Sequence, residues 1–101
     1  MNAILINQLD VLIDLCKYYK VKSMYAFGSV CTDRFTDQSD IDFLIAFDSI
    51  SIEQYSDFYF ELHYKLQDIF KRDIDLVTEK SLSNPFFVKS IELTKQLIYA
   101  A

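Results

Sequence analysis

Glycine is nearly missing from this chain. A single one, Gly28, stands among 101 residues, where average usage would place about seven. Cysteine is scarce as well, and two thiols, Cys16 and Cys31, are too few for a disulfide scaffold. Cys16 falls on an apolar helical face and reads as a buried thiol. Cys31 lies two residues after Ser29 and reads as a small residue in a tight turn; a reactive thiol near a helix start is the lesser alternative. Basic residues are outnumbered, 10 Lys and Arg against 15 Asp and Glu, for a net charge of -5. With no basic stripe to meet phosphates, direct nucleic-acid binding is not expected. Metal cations, basic surfaces and cation-bridged anions are the better partners. Long apolar runs are absent too. Stretches such as Phe43 to Phe47 are far too short to cross a bilayer, so no membrane is expected. No basic-apolar-small leader opens the chain, which makes the cytoplasm the expected location. The one histidine, His63, has no ligand spacing around it and reads as a solvated or half-buried helix residue.

What remains is 51% hydrophobic and 25% charged, the balance of a folded chain and not a disordered one. Its length points to one domain over residues 1–101. Residues 3 to 20 carry Leu5, Leu9, Leu12, Ile13, Cys16 and Tyr19 at three- and four-residue spacing, which predicts one helix. Residues 22 to 27 predict a short strand, broken at Gly28-Ser29. A short helix over 30 to 35 with Ser29 as N-cap should follow. Asp40 to Phe47 alternates cleanly: Ile41, Phe43, Ile45 and Phe47 make one large apolar face, and Asp40, Asp42, Leu44 and Ala46 the other. Residues 52 to 70 predict a second long helix with an apolar stripe from Tyr55 to Phe70. On its more polar side Phe60 and Tyr64 form either a partner anchor or a broad rim of the core. Asp73 to Val77 alternates again. Asn84 as N-cap and Pro85 at the first helical position open a last helix, expected to run from Phe86 to Tyr99.

A strand, a long helix and another strand imply a right-handed parallel crossover. The strands that begin at Asp40 and Asp73 then start at the same end of the sheet. If the first strand runs antiparallel to them, its Gly28-Ser29 end lies there as well. Asp40 and Asp42 share a face because the side-chain period of a strand is two. Two ionised carboxylates 4 Å apart repel by about 4 kcal/mol at an effective dielectric of 20, so either one is protonated or cations hold them together. Oxygen ligands from Asp40, Asp42 and a third carboxylate suit Mg²⁺. Such a set allows the two-metal arrangement that stabilises attacking and leaving oxygens in displacement at phosphorus. Asp75, inside the apolar strand, is preferred over Asp73 at its edge. Glycine lets a backbone approach a phosphate, and Ser29 adds a hydroxyl at a helix start with free N–H groups. A nucleoside triphosphate with Mg²⁺ fits that combination. Lys71-Arg72 reads as the charged end of a helix, with a contact to substrate phosphates as the alternative.

Gly28-Ser29, ten residues, Asp40-Ile41-Asp42 and then Asp75 in the stretch DIDLV resemble the nucleotidyltransferase superfamily of the DNA polymerase β type. The short chain and helix-first layout are similar to its minimal nucleotidyltransferases. That resemblance implies an α/β (α+β) palm, a small mixed β-sheet packed by helices. It implies Mg²⁺-dependent transfer of a nucleoside monophosphate, AMP from ATP being the leading case among NTPs. Asp40, Asp42 and Asp75 would be the catalytic metal ligands of a two-metal site, with Asp75 also activating the acceptor hydroxyl. Gly28, Ser29 and Ser39 would bind the nucleotide. It also implies a helical HEPN-type partner protein, a toxin that the enzyme adenylylates on tyrosine as a type VII-like antitoxin. The chain departs from many relatives in Val30-Cys31-Thr32-Asp33-Arg34, which lacks a second glycine and places Asp33 near the triphosphate. Two further readings stand beside the enzyme: an antitoxin that neutralises a helical partner by contact alone, and a small-molecule nucleotidyltransferase.

Overall fold

The computed structural model describes residues 1–101. Ten segments run in the order α1 (Ala3–Ile6), α2 (Leu9–Tyr18), β1 (Val21–Phe27), a 3-10 turn (Gly28–Cys31), β2 (Ile41–Phe47), α3 (Ile52–Phe70), β3 (Ile74–Thr78), a second 3-10 turn (Glu79–Ser81), α4 (Pro85–Thr94) and β4 (Gln96–Ala100). The mixed α/β class expected from the pattern is the one observed. No helix is long and apolar enough to cross a membrane.

The four strands form one sheet in the order β3-β2-β1-β4. β2 and β3 are parallel, as a helical crossover demands, and β1 is antiparallel to both β2 and β4. Seventeen buried residues, including Leu5, Leu12, Cys16, Met24, Phe43, Ile45, Leu62 and Leu66, join α1, α2 and α3 to one face. The apolar set Ile41, Phe43 and Ile45 points there, fully buried. Removing each such side chain from water contributes about 1.5–3 kcal/mol.

Helix ends follow local chemistry. Ser51 caps α3 by accepting from the Gln54 N–H at 3.2 Å, and Lys71 ends it in the left-handed region at φ 54. Asn84 accepts from the N–H groups of Phe86 and Phe87 at 2.9 and 3.3 Å, with Pro85 in the first turn. Ser51 and Asn84 satisfy donors that the helices themselves leave free, and the Lys71 N–H satisfies the Gln67 carbonyl at 2.8 Å.

Three expectations need correction. The helix predicted over 3 to 20 is two helices, because the chain tightens at Asn7-Gln8, where the Gln8 N–H donates to the Leu5 carbonyl at 3.1 Å. Leu5, Leu12 and Cys16 stay buried across the break, so apolar periodicity carries no trace of it. The helix over 30 to 35 is a four-residue 3-10 turn that starts at Gly28, with Ser29 inside it and not capping it. The last helix stops at Thr94, and Gln96–Ala100 is an edge strand on β1. Without β4, the outer edge of β1 would leave backbone N–H and C=O groups unpaired beside fully buried Met24 and Ala26. That requirement overrides the helical spacing of Leu93, Leu97 and Ile98.

Candidate active site

Register brings the expected residues together. Phe27, the residue before the glycine, pairs with Asp42, and Asp42 pairs in turn with Asp75. Three neighbouring strands therefore present the glycine turn and two carboxylates side by side, at strand spacings of about 4.8 Å. Asp40 lies one residue before β2, just as Asp73 lies one before β3. Asp40 and Asp75 are exposed and Asp42 is half-buried.

The carboxylates feel one another. Burial, then the charge of Asp75, then that of Asp40, push the Asp42 carboxyl up to about 6. The cluster is thus a site of concentrated negative potential whose charged form wants a cation. No three acidic, histidine or cysteine groups are drawn close enough to cage an ion on their own.

Gly28 has a second reason to be glycine. Its φ is +74, and a Cβ built on it would collide with Oδ2 of Asp42. Any side chain would strain the backbone and displace the carboxylate. Its N–H is already engaged, donating to Thr94 Oγ1 at 2.8 Å, so Gly28 supplies room and a turn and not a free donor. Thr94, in the last turn of α4, escaped the sequence reading because it was placed mid-helix. No local pattern marked it, since its partner Gly28 lies 66 residues away in the chain.

Ser29 lies half-buried in the turn, where its carbonyl accepts from the Thr32 hydroxyl and N–H, both at 2.9 Å. Ser39 sits elsewhere. Its hydroxyl accepts from the Thr36 N–H at 3.0 Å and closes the turn before Asp40. Burial raises the Cys31 thiol, with Asp42 adding to the shift against the N-terminal charge, which favours a packed turn residue over a nucleophile. His63 is half-buried, its Nε2–H donating to the Ile74 carbonyl at 2.9 Å. Tyr59 donates to the Leu76 carbonyl at 2.6 Å. Together they cap β3, the strand of Asp75, from α3. Phe60 and Tyr64 are 53% and 64% exposed.

The best-enclosed cleft, about 350 Å³, lies at the opposite end of the sheet among Lys22, Ser23, Phe47, Tyr55 and Lys80. No cluster of carboxylates converges there. The carboxylate end is an open ledge, and chemistry places the candidate site on it.

A nucleotidyltransferase domain model matches residues 10–98. Two Methanocaldococcus jannaschii proteins, each named a putative protein adenylyltransferase, are similar in sequence. One is 43% identical over 81 residues, 80% of this chain and 78% of that protein. The other is 40% identical over 87 residues, 85% and 83% of the two. Among solved structures, a chain of a toxin-antitoxin crystallised with AMP-PNP superposes with a TM-score of 0.70 at 23% identity, covering 92% of this chain and 73% of that one. A structure named as that of a putative minimal nucleotidyltransferase superposes with a TM-score of 0.68 at 20% identity, covering 95% of both chains. A chain from a tri-AMPylated Shewanella oneidensis HEPN toxin in complex with its MNT antitoxin gives 0.64 at 21% identity, covering 94% and 71%.

Proposed function

The chain belongs to the nucleotidyltransferase domain family, and from that premise we propose that it transfers AMP from ATP to a hydroxyl of a partner protein. The observation that carries this reading is the register Phe27–Asp42–Asp75, which sets the glycine turn against two carboxylates. The relatives named for protein adenylyl transfer make a protein hydroxyl the leading acceptor.

Asp40, Asp42 and Asp75 would hold Mg²⁺. The oxygen-only donor set and the raised Asp42 carboxyl fit such an ion. When bound, the metal neutralises phosphate charge and polarises the phosphorus centre. The residues of the chain do the rest. The turn at Gly28-Ser29 seats the β- and γ-phosphates, with the Ser29 hydroxyl as donor. Ser39 serves the nucleotide indirectly, by shaping the loop that delivers Asp40. The acceptor oxygen bonds to the α-phosphorus, the bond to the β-phosphate oxygen breaks, and pyrophosphate leaves. Asp75, exposed at the edge strand, takes the proton from the acceptor hydroxyl.

The proposed acceptor is a tyrosine of a helical HEPN-type toxin, which makes the chain an antitoxin. The support is the likeness of fold to chains from toxin-antitoxin complexes. A contact-only antitoxin is the rival reading, and the exposed Phe60 and Tyr64 favour a docking role in either case.

One experiment separates them. The chain is incubated with ATP, Mg²⁺ and a helical HEPN-type protein from the same organism, and the partner is weighed by mass spectrometry. A mass gain of one AMP moiety is expected, and Asp42→Asn should abolish it. Full neutralisation of the partner by Asp42→Asn, with no mass gain from the unaltered chain, would establish the contact-only reading.

A further inference from the structure

We propose that Arg72 is a positioning residue for Asp40, holding the metal-binding carboxylate in place from the segment that leads into β3. This deepens the nucleotidyltransferase reading and rests on it. Asp40 needs such a hold, because it stands outside β2 at the end of a nine-residue connection, Thr32–Asp40, that contains no helix or strand.

Two hydrogen bonds bracket it. On one side the Ser39 carbonyl, part of the peptide that leads into Asp40, accepts from Arg72 Nη1 at 2.9 Å. On the other side the Ile41 N–H donates to the Asp73 carbonyl at 3.2 Å. Consecutive residues of one segment thus grip the backbone before and after Asp40. The same Nη1 also donates to the Thr36 carbonyl at 3.2 Å. The guanidinium lies over Phe35, 4.7 Å from the ring centroid. Three points of the connection, at residues 35, 36 and 39, are therefore tied to one side chain.

The chemistry suits arginine better than lysine. A planar guanidinium can stack flat on a ring while donating in its plane to two carbonyls, whereas an ammonium offers a point charge with no planar fork to stack. The charge of Arg72 goes to neutral carbonyls and a ring face. The single ion pair of the structure is Lys95–Glu92, so Asp40 is held through its backbone and its carboxylate remains available to a cation. The left-handed cap at Lys71 makes this possible by ending α3 abruptly and turning Arg72 toward the connection. The side chain is therefore more than a solvated helix end.

The test is Mn²⁺ binding in the presence of a non-hydrolysable ATP analogue, measured by titration calorimetry on the unaltered chain, Arg72→Ala, Arg72→Lys, Asp40→Asn and the Arg72→Ala/Asp40→Asn pair. Loss of an outer-shell partner costs about 10-fold or more in metal affinity, and Arg72→Ala should weaken Mn²⁺ by about that factor. Arg72→Lys should recover little. The double variant should be no weaker than Asp40→Asn alone, because Arg72 acts through Asp40. Affinity unchanged in Arg72→Ala, or a loss that adds in full to that of Asp40→Asn, would overturn the proposal. Amide hydrogen exchange over residues 36–41 gives a readout that needs neither metal nor nucleotide. Faster exchange in Arg72→Ala is expected, and exchange equal to the unaltered chain overturns the hold on Asp40 even if no Mn²⁺ binds. Failure of the unaltered chain to bind Mn²⁺ strikes the nucleotidyltransferase reading instead. If Arg72→Ala does not fold, Phe35→Leu, which removes the ring and keeps the hydrogen bonds, should shift both readouts in the same direction by a smaller factor.

Discussion

The two faces of the sheet are built to different standards. One is buried under α1, α2 and α3 in a cluster of 17 residues. The other is covered at its centre by α4 over a cluster of only three buried residues, Phe27, Leu44 and Ile91, with Tyr25, Val77 and Leu82 packed against them half-buried, and its end carries Asp40, Asp42 and Asp75. The thick face holds the fold together. The thin face leaves room for charge, because carboxylates under a packed layer would be driven neutral. Stability and chemistry share the same strands by dividing them between alternate residues: Phe43 and Ile45 inward, Asp42 and Leu44 outward.

The comparison can be broken most directly at its two centres. Phe43→Ala should cost about 3–5 kcal/mol, since the vacated space is surrounded by packed side chains. Ile91→Ala should cost about 2 kcal/mol, the low end for such a truncation, because a thin layer can relax into the gap. Urea denaturation of both variants measures the difference, and equal losses would mean that the two faces are packed alike.

Thr94→Val probes the join between α4 and the site. It removes the acceptor of the Gly28 N–H and keeps the volume, so the donor is left without its partner at a cost of about 1.5 kcal/mol. Adenylyl transfer should fall with it, read as a raised KM for ATP, because the turn proposed to seat the phosphates is no longer held. Unchanged kinetics would confine Thr94 to a structural role.

The smallest effect sharpens the electrostatic side. Asp42 has a folded-state carboxyl raised to about 6 from an ordinary 3.8. Its contribution favours the folded state fully below the ordinary value and is lost as pH rises through 6. The metal-free protein should therefore gain stability through this group as pH falls from 7 toward 4. Asp42→Asn should be more stable than the unaltered chain at pH 7, and that advantage should shrink on acidification. Solvent screening at a half-exposed group keeps the gain to about 1 kcal/mol. Melting temperature against pH for the two proteins, without divalent cations, reads it. Parallel curves would show that Asp42 does not titrate in this window.

Most of the thick face was legible as periodicity. Leu12 and Cys16, Leu62 and Leu66, and Phe43 and Ile45 announce their elements by spacing, and all are buried as that spacing predicts. The cluster of Asp40, Asp42 and Asp75 was legible for a related reason. Charge at period two at the start of an apolar strand has no packing role, and a parallel crossover carries Asp75 to the same end. The thin face was not legible. α4 and β4 are joined at Lys95 without a glycine or proline to mark the junction, and Leu97-Ile98-Tyr99 suits a helix or a strand equally well. Thr94 and Arg72 carry no local pattern, since each finds its partner far along the chain: Gly28 for one, and the carbonyls of Thr36 and Ser39 for the other.

By itself the sequence determined which residues are apolar at helical or strand spacing, where the one glycine stands, and that three aspartates begin two strands. These are local properties, set by side-chain period and backbone freedom. Only the tertiary structure decided why the glycine cannot be replaced. Its missing Cβ leaves room for the Asp42 carboxylate, and that contact exists only once β1 and β2 have paired in register. It also decided that the last residues complete the sheet, because an unpaired β1 edge is a cost that arises only after the sheet has formed.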